Sequence, residues 1–307
     1  MELNNWTDLQ DHVMTLYAQG RLREGLEEAD RAARDFPERA TKTAYWRTCL
    51  HSLLGETQEA LAILREATDH GIWWSESTLM NESDFAPIRD LPEFRDIMRA
   101  SKDMAAAAER TSLPQLVSLP PREIEGGRPP PLPMALHSRG ANARQSAPRW
   151  EAAPDAGMVV AVPQSSQMSA ADEYCWDDEL KAARDVAWAY ARASEEHRFD
   201  PDRVVLAGAS QGARIAIAAA LKGDAFRSCG FIAVVPALRD ITQLAALMPE
   251  AARRHVRGYI VTGDKDQFYQ WVCLLHDAMK KAGLSCELDV REGMGHRFPP
   301  GFVLARE

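Results

Sequence analysis

Residues 204–221 constrain the fold of this chain more than any other segment. An apolar run, Val-Val-Leu-Ala, leads into Gly-Ala-Ser-Gln-Gly at 208–212, and an Ala-rich stretch follows at once. The pattern predicts a buried strand, a sharp turn at Ser210 and a helix that begins at residue 211. Small residues at 208 and 212 fit such a turn, because the chain there approaches its neighbours closely. A serine in this position lies at the positive end of a helix, where developing negative charge is stabilised.

Short apolar runs alternate with amphipathic stretches through the second half of the chain. The runs predict strands at 134–136, 158–162, 204–207, 230–235, 258–262 and 286–290. The stretches between them include predicted helices at 177–196, 211–221 and 268–282. Continuous apolar strands that alternate with helices predict an α/β fold with a mostly parallel sheet, covered by helices on both faces.

A serine hydroxyl is a poor nucleophile unless a histidine base and an orienting carboxylate lie beside it. Of the eight histidines, His296 differs from the others because it lies in a glycine-flanked loop just after the predicted strand 286–290. A loop histidine at the carboxyl end of a strand can reach the same sheet edge as Ser210. His296 is therefore the candidate base.

The carboxylate is expected in the loop after another strand, between the serine and the histidine. Gly263 follows the predicted strand 258–262, and Asp266 three residues later fits the usual acid loop better than Asp264 does. The alternative is that both aspartates cap the helix that begins near Gln267.

The chain order Ser, Asp, His is that of α/β-hydrolases and differs from that of trypsin-like or subtilisin-like proteases. Residues 130–307 resemble that superfamily, and within it they look most like the phospholipase/carboxylesterase group, which includes acyl-protein thioesterases and small bacterial serine esterases. The motifs that carry the resemblance are Leu136-His137-Ser138-Arg139-Gly140, Pro163-Gln164-Ser165-Ser166-Gln167, Gly208 to Gly212, Gly263 to Asp266 and Gly295-His296.

The resemblance implies an oxyanion hole built from two backbone N–H groups, those of Gln211 and Arg139. The family loop reads L-H-G-x-G, and this chain departs from it at Ser138, where glycine is usual. It also implies an acyl-enzyme mechanism on a small-molecule ester or thioester, with no metal or organic cofactor. Gln164 and Trp176 follow the strand that ends at Val162, so they are expected to contact substrate at the pocket mouth. Trp176 has an alternative role, packing on the helix that it precedes.

Two other functions remain open at this point. A peptidase or acylaminoacyl-type amide hydrolase would use the same three residues on the same fold. A protein of another class, an adaptor with an inert hydrolase domain, is suggested by the departure at Ser138.

The first hundred residues predict helix after helix, with a weak internal repeat. Residues 20–29 align with residues 55–64 at an offset of 35, and each copy opens with a glycine turn. Over roughly residues 5–72 the pattern resembles the tetratricopeptide family of helix-turn-helix repeats. The alternative is a helical hairpin domain that only packs on its neighbour. These helices are the expected site of a homodimer contact or a peptide partner.

Proline density marks the boundary between the two halves. Seven of the eighteen prolines fall between residues 111 and 133, which forbids helix and favours extended chain. The predicted organisation is a helical domain at 1–110, a proline-rich linker at 111–133 and a hydrolase domain at 134–307.

Charge and composition exclude several classes of function. The net charge is −9, and the basic residues are spread along the chain, which argues against nucleic-acid binding. The five cysteines contain no C-x-x-C pair, so free thiols are expected and no metal site is predicted. The sequence shows no apolar stretch long enough for a membrane span and opens without a secretory pattern, so a cytoplasmic location is expected.

Overall fold

A computed structural model describes residues 5–122 and 127–302 of the chain. The chain forms two compact units. The helical unit consists of Met1–Ser112 together with Met168–Glu173, and the sheet unit consists of Leu113–Gln167 together with Tyr174–Glu307. Among the helices of the described residues, none combines the length and apolar character that a membrane span requires.

The helical unit is built from successive amphipathic helices. They are α1 (Trp6–Ala18), α2 (Leu22–Asp35), α3 (Ala40–Leu53), α4 (Thr57–Asp69), α5 (Glu76–Asn81) and α6 (Pro92–Glu109). The repeated segments occupy equivalent turns, because the N–H of Arg21 donates to the carbonyl of Leu16 and the N–H of Glu56 to that of His51, both at 2.9 Å. These bonds close two helix ends in the same way, 35 residues apart.

Residues 168–173 complete the core of the helical unit. Ala170 is fully buried in a cluster with Trp74, Leu79 and Phe85. Two backbone bonds hold the segment, one from the N–H of Ser75 to the carbonyl of Ser169 at 2.8 Å and one from Ala171 to Trp73 at 2.9 Å. The helical unit is therefore made from two separate stretches of chain.

The sheet unit contains a seven-stranded sheet in the order β1-β3-β2-β6-β7-β8-β9. Its strands are β1 (Gln115–Leu119), β2 (Leu132–Leu136), β3 (Val160–Gln164), β6 (Val204–Ala209), β7 (Gly230–Val234), β8 (Arg257–Gly263) and β9 (Ser285–Arg291). The strands β4 (Gln167–Ala170) and β5 (Glu173–Cys175) form a separate two-stranded sheet. Strand β1 is antiparallel to β3, and the other pairs of the large sheet are parallel.

Helices bury both faces of this sheet. They are α7 (Ala143–Ser146), α8 (Ala152–Asp155), α9 (Glu179–Glu196), α10 (Gln211–Lys222), α11 (Thr242–Arg253) and α12 (Tyr269–Lys281). Side chains of β6 alternate between two buried clusters, with Leu206 in the one that includes α9 to α12 and Ala207 in the one that includes α7 and α8. This layered arrangement confirms the predicted fold class.

One segment of the predicted linker lies in the sheet. Residues 115–119 form β1, which pairs with β3 from Gln115 opposite Gln164 to Leu119 opposite Val160. The prolines at 114, 120 and 121 flank this strand, so its own residues keep their N–H groups for hydrogen bonding. A high density of prolines is therefore compatible with a short edge strand between them.

Candidate active site

Ser210 occupies a strained turn between β6 and α10. Its backbone has φ +54° and ψ −117°, a region that non-glycine residues rarely adopt. The Ser210 N–H donates to the carbonyl of Val234 at 2.9 Å, and the Ser210 carbonyl accepts from the N–H of Ala237 at 3.1 Å. Such strain costs about 1–3 kcal/mol and persists only where surrounding contacts enforce it. The turn presents the serine at the carboxyl end of the fourth of the seven strands.

Two glycines allow this turn to close. A Cβ on Gly208 would lie 2.6 Å from the carbonyl carbon of Gly212, and one on Gly212 would lie 2.4 Å from the backbone oxygens of Leu136 and His137. No side chain fits at either distance, because non-bonded carbon atoms approach to about 3.5 Å. Helix α10 therefore packs directly on the end of β2.

His296 connects the predicted serine and aspartate through hydrogen bonds. Its Nε2 lies 2.8 Å from the hydroxyl oxygen of Ser210, and its Nδ1 lies 2.9 Å from Oδ2 of Asp266. The Asp266 side chain has no exposed surface, and its other oxygen accepts from the N–H of Phe268 at 2.9 Å. With Asp266 ionised, Nδ1–H donates to it and Nε2 is free to accept the serine proton.

Asp264 lies in the same loop and has a different partner. Its side-chain oxygen accepts from the N–H of Gly293 at 2.6 Å. The two aspartates therefore separate in the structure: Asp266 faces His296, and Asp264 holds the loop that leads to it.

Asp177 connects the two residues predicted to supply oxyanion donors. The side-chain amide of Gln211 donates to Asp177 at 2.7 Å, and the Arg139 guanidinium forms an ion pair with the same carboxylate. Burial opposes ionisation of Asp177, but the hydrogen bond and charge of Arg139 outweigh it, so the pKa of that carboxyl is lowered. This bridge fixes the separation between the loop after β2 and the first turn of α10.

His137 holds the loop after β2 from inside the core. Its Nδ1–H donates to the carbonyl of Ser138 at 2.9 Å, and its Nε2 accepts from the N–H of Ser165 at 3.2 Å. The side chain is buried, and burial lowers its pKa from 6.5 to about 4. At neutral pH it is an uncharged ring with both nitrogens bonded.

Ser138, the departure from the family loop, donates its hydroxyl to the carbonyl of Ala209 at 3.3 Å. Ala209 immediately precedes the candidate nucleophile. The serine therefore adds a bond between the two segments that flank the site, where the usual glycine would make none.

Trp176 does not take the position predicted for it. Its side chain is fully buried, its ring lies 4.8 Å from that of His137, and its indole N–H donates to the His137 carbonyl at 3.0 Å. A side chain without exposed surface cannot contact substrate, so the prediction of a pocket wall is wrong and the packing alternative describes it. Gln164 is also buried, with its amide oxygen accepting from the N–H of Ala143 at 3.3 Å; its role in substrate binding stays a prediction.

Sequence reasoning missed Asp177 and Phe268. The Phe268 ring lies edge-on to the His296 ring with 5.1 Å between centroids. Its position two residues after Asp266 was the available signal, since the same turn that presents the carboxylate places this ring. Asp177 had no comparable signal, because its partners lie 34 and 38 residues away in the chain.

A second group of ionisable side chains lies in the helical unit. The side chains of Cys49, Glu82 and Asp84 offer possible metal-ligand atoms within 4.8 Å of one another. Burial raises the pKa of the Cys49 thiol well above its usual range, so it stays protonated. Tyr17 donates to Asp84 at 2.8 Å and Tyr45 to Glu82 at 2.5 Å. These bonds satisfy the carboxylates without a metal ion.

The fold and the position of the turn at Ser210 place this chain in the α/β-hydrolase fold. Residues 5–109 match the family model described as the A/B hydrolase-like, N-terminal domain, which lies within the helical unit. A comparison with curated proteins gives no match.

Three solved structures align with this chain at low sequence identity. An uncharacterized protein from Bacillus cereus aligns over 96% of this chain and 94% of its own, with 23% identity and a TM-score of 0.53. A ferulic acid esterase aligns over 60% of this chain and 91% of its own, with 14% identity and a TM-score of 0.47. Esterase 2 of Thermogutta terrifontis aligns over 60% and 80%, with 20% identity and a TM-score of 0.43. The first of these alignments extends the shared fold to nearly the whole chain.

Proposed function

We propose that this chain is a serine hydrolase that cleaves carboxylic esters or thioesters through an acyl-enzyme. The observation that carries the proposal is the hydrogen-bonded series from the Ser210 hydroxyl through His296 to the buried Asp266. A base oriented by a carboxylate and bonded to a hydroxyl is the arrangement that activates serine as a nucleophile.

The chemistry follows from these contacts. His296 Nε2 takes the proton as Ser210 Oγ attacks the ester carbonyl carbon, and the carbonyl oxygen becomes an oxyanion. His296 then gives that proton to the departing alcohol or thiol, which leaves Ser210 acylated. A water molecule, deprotonated by the same nitrogen, then attacks the acyl carbon. The bond from that carbon to Ser210 Oγ breaks, Oγ takes the proton back from His296, and the carboxylic acid is released.

The oxyanion is assigned to the backbone N–H groups of Gln211 and Arg139. Gln211 begins α10, so its N–H points out of the helix at the positive end of the dipole. The bridge through Asp177 supports this assignment, because it holds both segments in one arrangement. Each such donor contributes about 3 kcal/mol of transition-state stabilisation.

The proposal is tested with purified full-length protein and three variants. Ser210→Ala and His296→Ala are expected to lower the kcat for p-nitrophenyl acetate at least about a thousandfold, because each removes a member of the catalytic series. Ser194→Ala is the matched control, since its exposed hydroxyl donates only to the Tyr190 carbonyl in α9. Unchanged hydrolysis in Ser210→Ala would refute the proposal.

Labelling by a fluorophosphonate separates the proposed hydrolase from a non-catalytic adaptor. An activated Ser210 reacts covalently with such a probe, and the label is expected to disappear in Ser210→Ala but persist in Ser194→Ala. An oxygen ester, a thioester and an amide with the same acetyl group then rank the substrate classes. An amide cleaved faster than the oxygen ester would favour the peptidase alternative.

A further inference from the structure

Two backbone bonds fix the loop after β7, one to β8 and one to the candidate nucleophile. The N–H of Val235 donates to the carbonyl of Val261 at 2.7 Å, and the N–H of Ala237 donates to the carbonyl of Ser210 at 3.1 Å. Val235 has φ +41°, which is a clear outlier for a β-branched residue. Neighbouring contacts must enforce this conformation, so the backbone of the loop holds a defined position beside Ser210.

Arg239 extends from this loop toward the candidate base. Its guanidinium carbon lies 5.9 Å from the ring centroid of Phe268, and that ring lies 5.1 Å from the ring of His296. Phe268 is itself positioned by the bond from its N–H to Asp266. One aromatic ring therefore separates an arginine from the base.

Arg239 differs from its neighbouring arginines in having no ion-pair partner within the described part of the chain. Two other arginines near the start of α10 are already paired, Arg139 with Asp177 and Arg214 with Glu179. Within residues 5–122 and 127–302, Arg239 makes no ion pair, and its side chain is exposed. A guanidinium in this state can take a carboxylate through two parallel hydrogen bonds.

The direction of proton transfer decides which half of a substrate meets this arginine. His296 must protonate the leaving oxygen, so the alcohol half of an ester lies on the His296 side of the scissile bond. Phe268 and Arg239 stand on that side. Arg239 also lines a cavity of about 250 Å³ along α10 and α11, together with Arg214, Asp240 and Leu244.

We propose that Phe268 and Arg239 form a subsite for the alcohol half of the ester, in which a planar apolar group lies against Phe268 and a carboxylate binds Arg239. The substrate class is then an ester whose alcohol part carries a carboxylate. This inference rests on the proposed function, because it assigns the leaving-group side from the role of His296.

The test compares 4-acetoxybenzoate with 4-acetoxybenzamide, which have the same acyl group and ring and differ in charge. The measured quantity is the ratio of kcat/KM for the acid over the amide, corrected for the alkaline hydrolysis rates of the two esters. The wild-type ratio is expected to exceed one, and Arg239→Gln is expected to lower it about tenfold through a higher KM for the acid. Arg239→Lys should restore part of the ratio, since it keeps the charge but loses the planar fork.

Arg227→Gln is the matched control for the loss of one positive charge. Its side chain is exposed and precedes β7, at the end of the sheet opposite Ser210, where it pairs with Asp202 at 3.6 Å. The acid-to-amide ratio of this variant is expected to equal that of the wild type. A ratio that is the same in Arg239→Gln as in the wild type would overturn the subsite.

A binding measurement separates failure of the subsite from failure of the proposed function. If neither ester is hydrolysed and Ser210 is not labelled, the proposed function fails. The subsite is then tested by titration calorimetry of 4-hydroxybenzoate into Ser210→Ala, with and without Arg239→Gln. The second substitution is expected to weaken binding about fivefold or more. Equal affinities in the two variants would refute the subsite even in the absence of catalysis.

Discussion

The two units use glycine for different physical reasons. In the helical unit, Gly20 and Gly55 have φ +70° and +78°, and a Cβ added to either would meet no atom within 4 Å. In the sheet unit, Gly208 and Gly212 lack space, since an added Cβ would lie within 2.6 Å of backbone atoms. The first pair supplies a left-handed turn, which other residues can adopt at a modest cost. The second pair supplies close contact of two backbones, which no other residue permits.

Gly212→Ala is expected to have the largest effect. The new methyl group must displace either α10 or the end of β2, because it would lie 2.4 Å from two backbone oxygens. Misplacing Ser210 relative to the loop after β2 should lower kcat for an ester about a hundredfold or more, and overpacking should cost about 1–3 kcal/mol of stability. Ester kinetics and urea unfolding measure the two effects. Wild-type kcat in the folded variant would show that contact at this glycine is unimportant.

The two units also bury different kinds of ionisable group. The helical unit holds carboxylates bonded to tyrosines, whereas the sheet unit holds a buried histidine, His137. Its pKa of about 4 is below the 6.5 of the unfolded chain, so between these values the unfolded chain binds a proton that the folded chain does not. The neutral, buried His137 therefore makes the free energy of unfolding depend on pH. Above pH 6.5 it costs no stability, and as the pH falls to about 4 the protein loses about 3 kcal/mol in total.

Urea unfolding at pH 7 and pH 5 checks this pH dependence. His137→Asn should lose about 2 kcal/mol less stability than the wild type between these two pH values. His255→Asn is the control, because His255 is exposed and has φ +58°, a conformation that asparagine tolerates. Equal losses in His137→Asn and the wild type would contradict the prediction.

In the helical unit, Tyr45→Phe removes the donor to Glu82 and is expected to cost about 2 kcal/mol, because a hydrogen bond to a carboxylate is lost in a partly buried site. The same change at Tyr259 in the sheet unit serves as the comparison. Tyr259 donates to Asp289, which is also paired with Arg291 at 2.7 Å. Tyr259→Phe should cost less, and urea unfolding measures both. A larger loss at Tyr259 would reverse the expected order.

Gly55→Ala is expected to have the smallest effect. Alanine must adopt φ near +78° there, which costs about 1 kcal/mol, and asparagine at the same position should cost less. Ester hydrolysis should be unaffected by either change. If Gly55→Ala destabilised the protein as much as Gly212→Ala does, the distinction between the two kinds of glycine would be wrong.

The sequence predicted the parts of the fold that depend on local pattern. The strand and helix around Ser210 were expected at 204–207 and 211–221, and they lie at Val204–Ala209 and Gln211–Lys222. His296 and Asp266 were expected beside this serine because each follows a parallel strand, and such strand ends share one edge of a sheet. The structure brings the three side chains within hydrogen-bond distance.

The features that sequence missed depend on contacts between distant segments. The bridge of Asp177 to Arg139 and Gln211 joins three separate segments, and none of these residues has a pattern that specifies the others. Trp176 was placed at a pocket because it follows a strand, but position along the chain does not determine which way an aromatic side chain faces. Strand β1 was missed because the prolines that suggested a linker lie on either side of it, at 114, 120 and 121, and none lies within the strand.

Residues 168–173 affect the order in which the two units of this chain can fold. The helical unit needs Ala170 to cover Trp74, yet that residue follows β1, β2 and β3 in the chain. During synthesis, the six helices therefore leave the ribosome before the segment that completes their core. The core of the helical unit can be completed only after three strands of the other unit have emerged. Neither unit is formed by one continuous segment of the polypeptide. A chain truncated after residue 112 would therefore have an incomplete helical core.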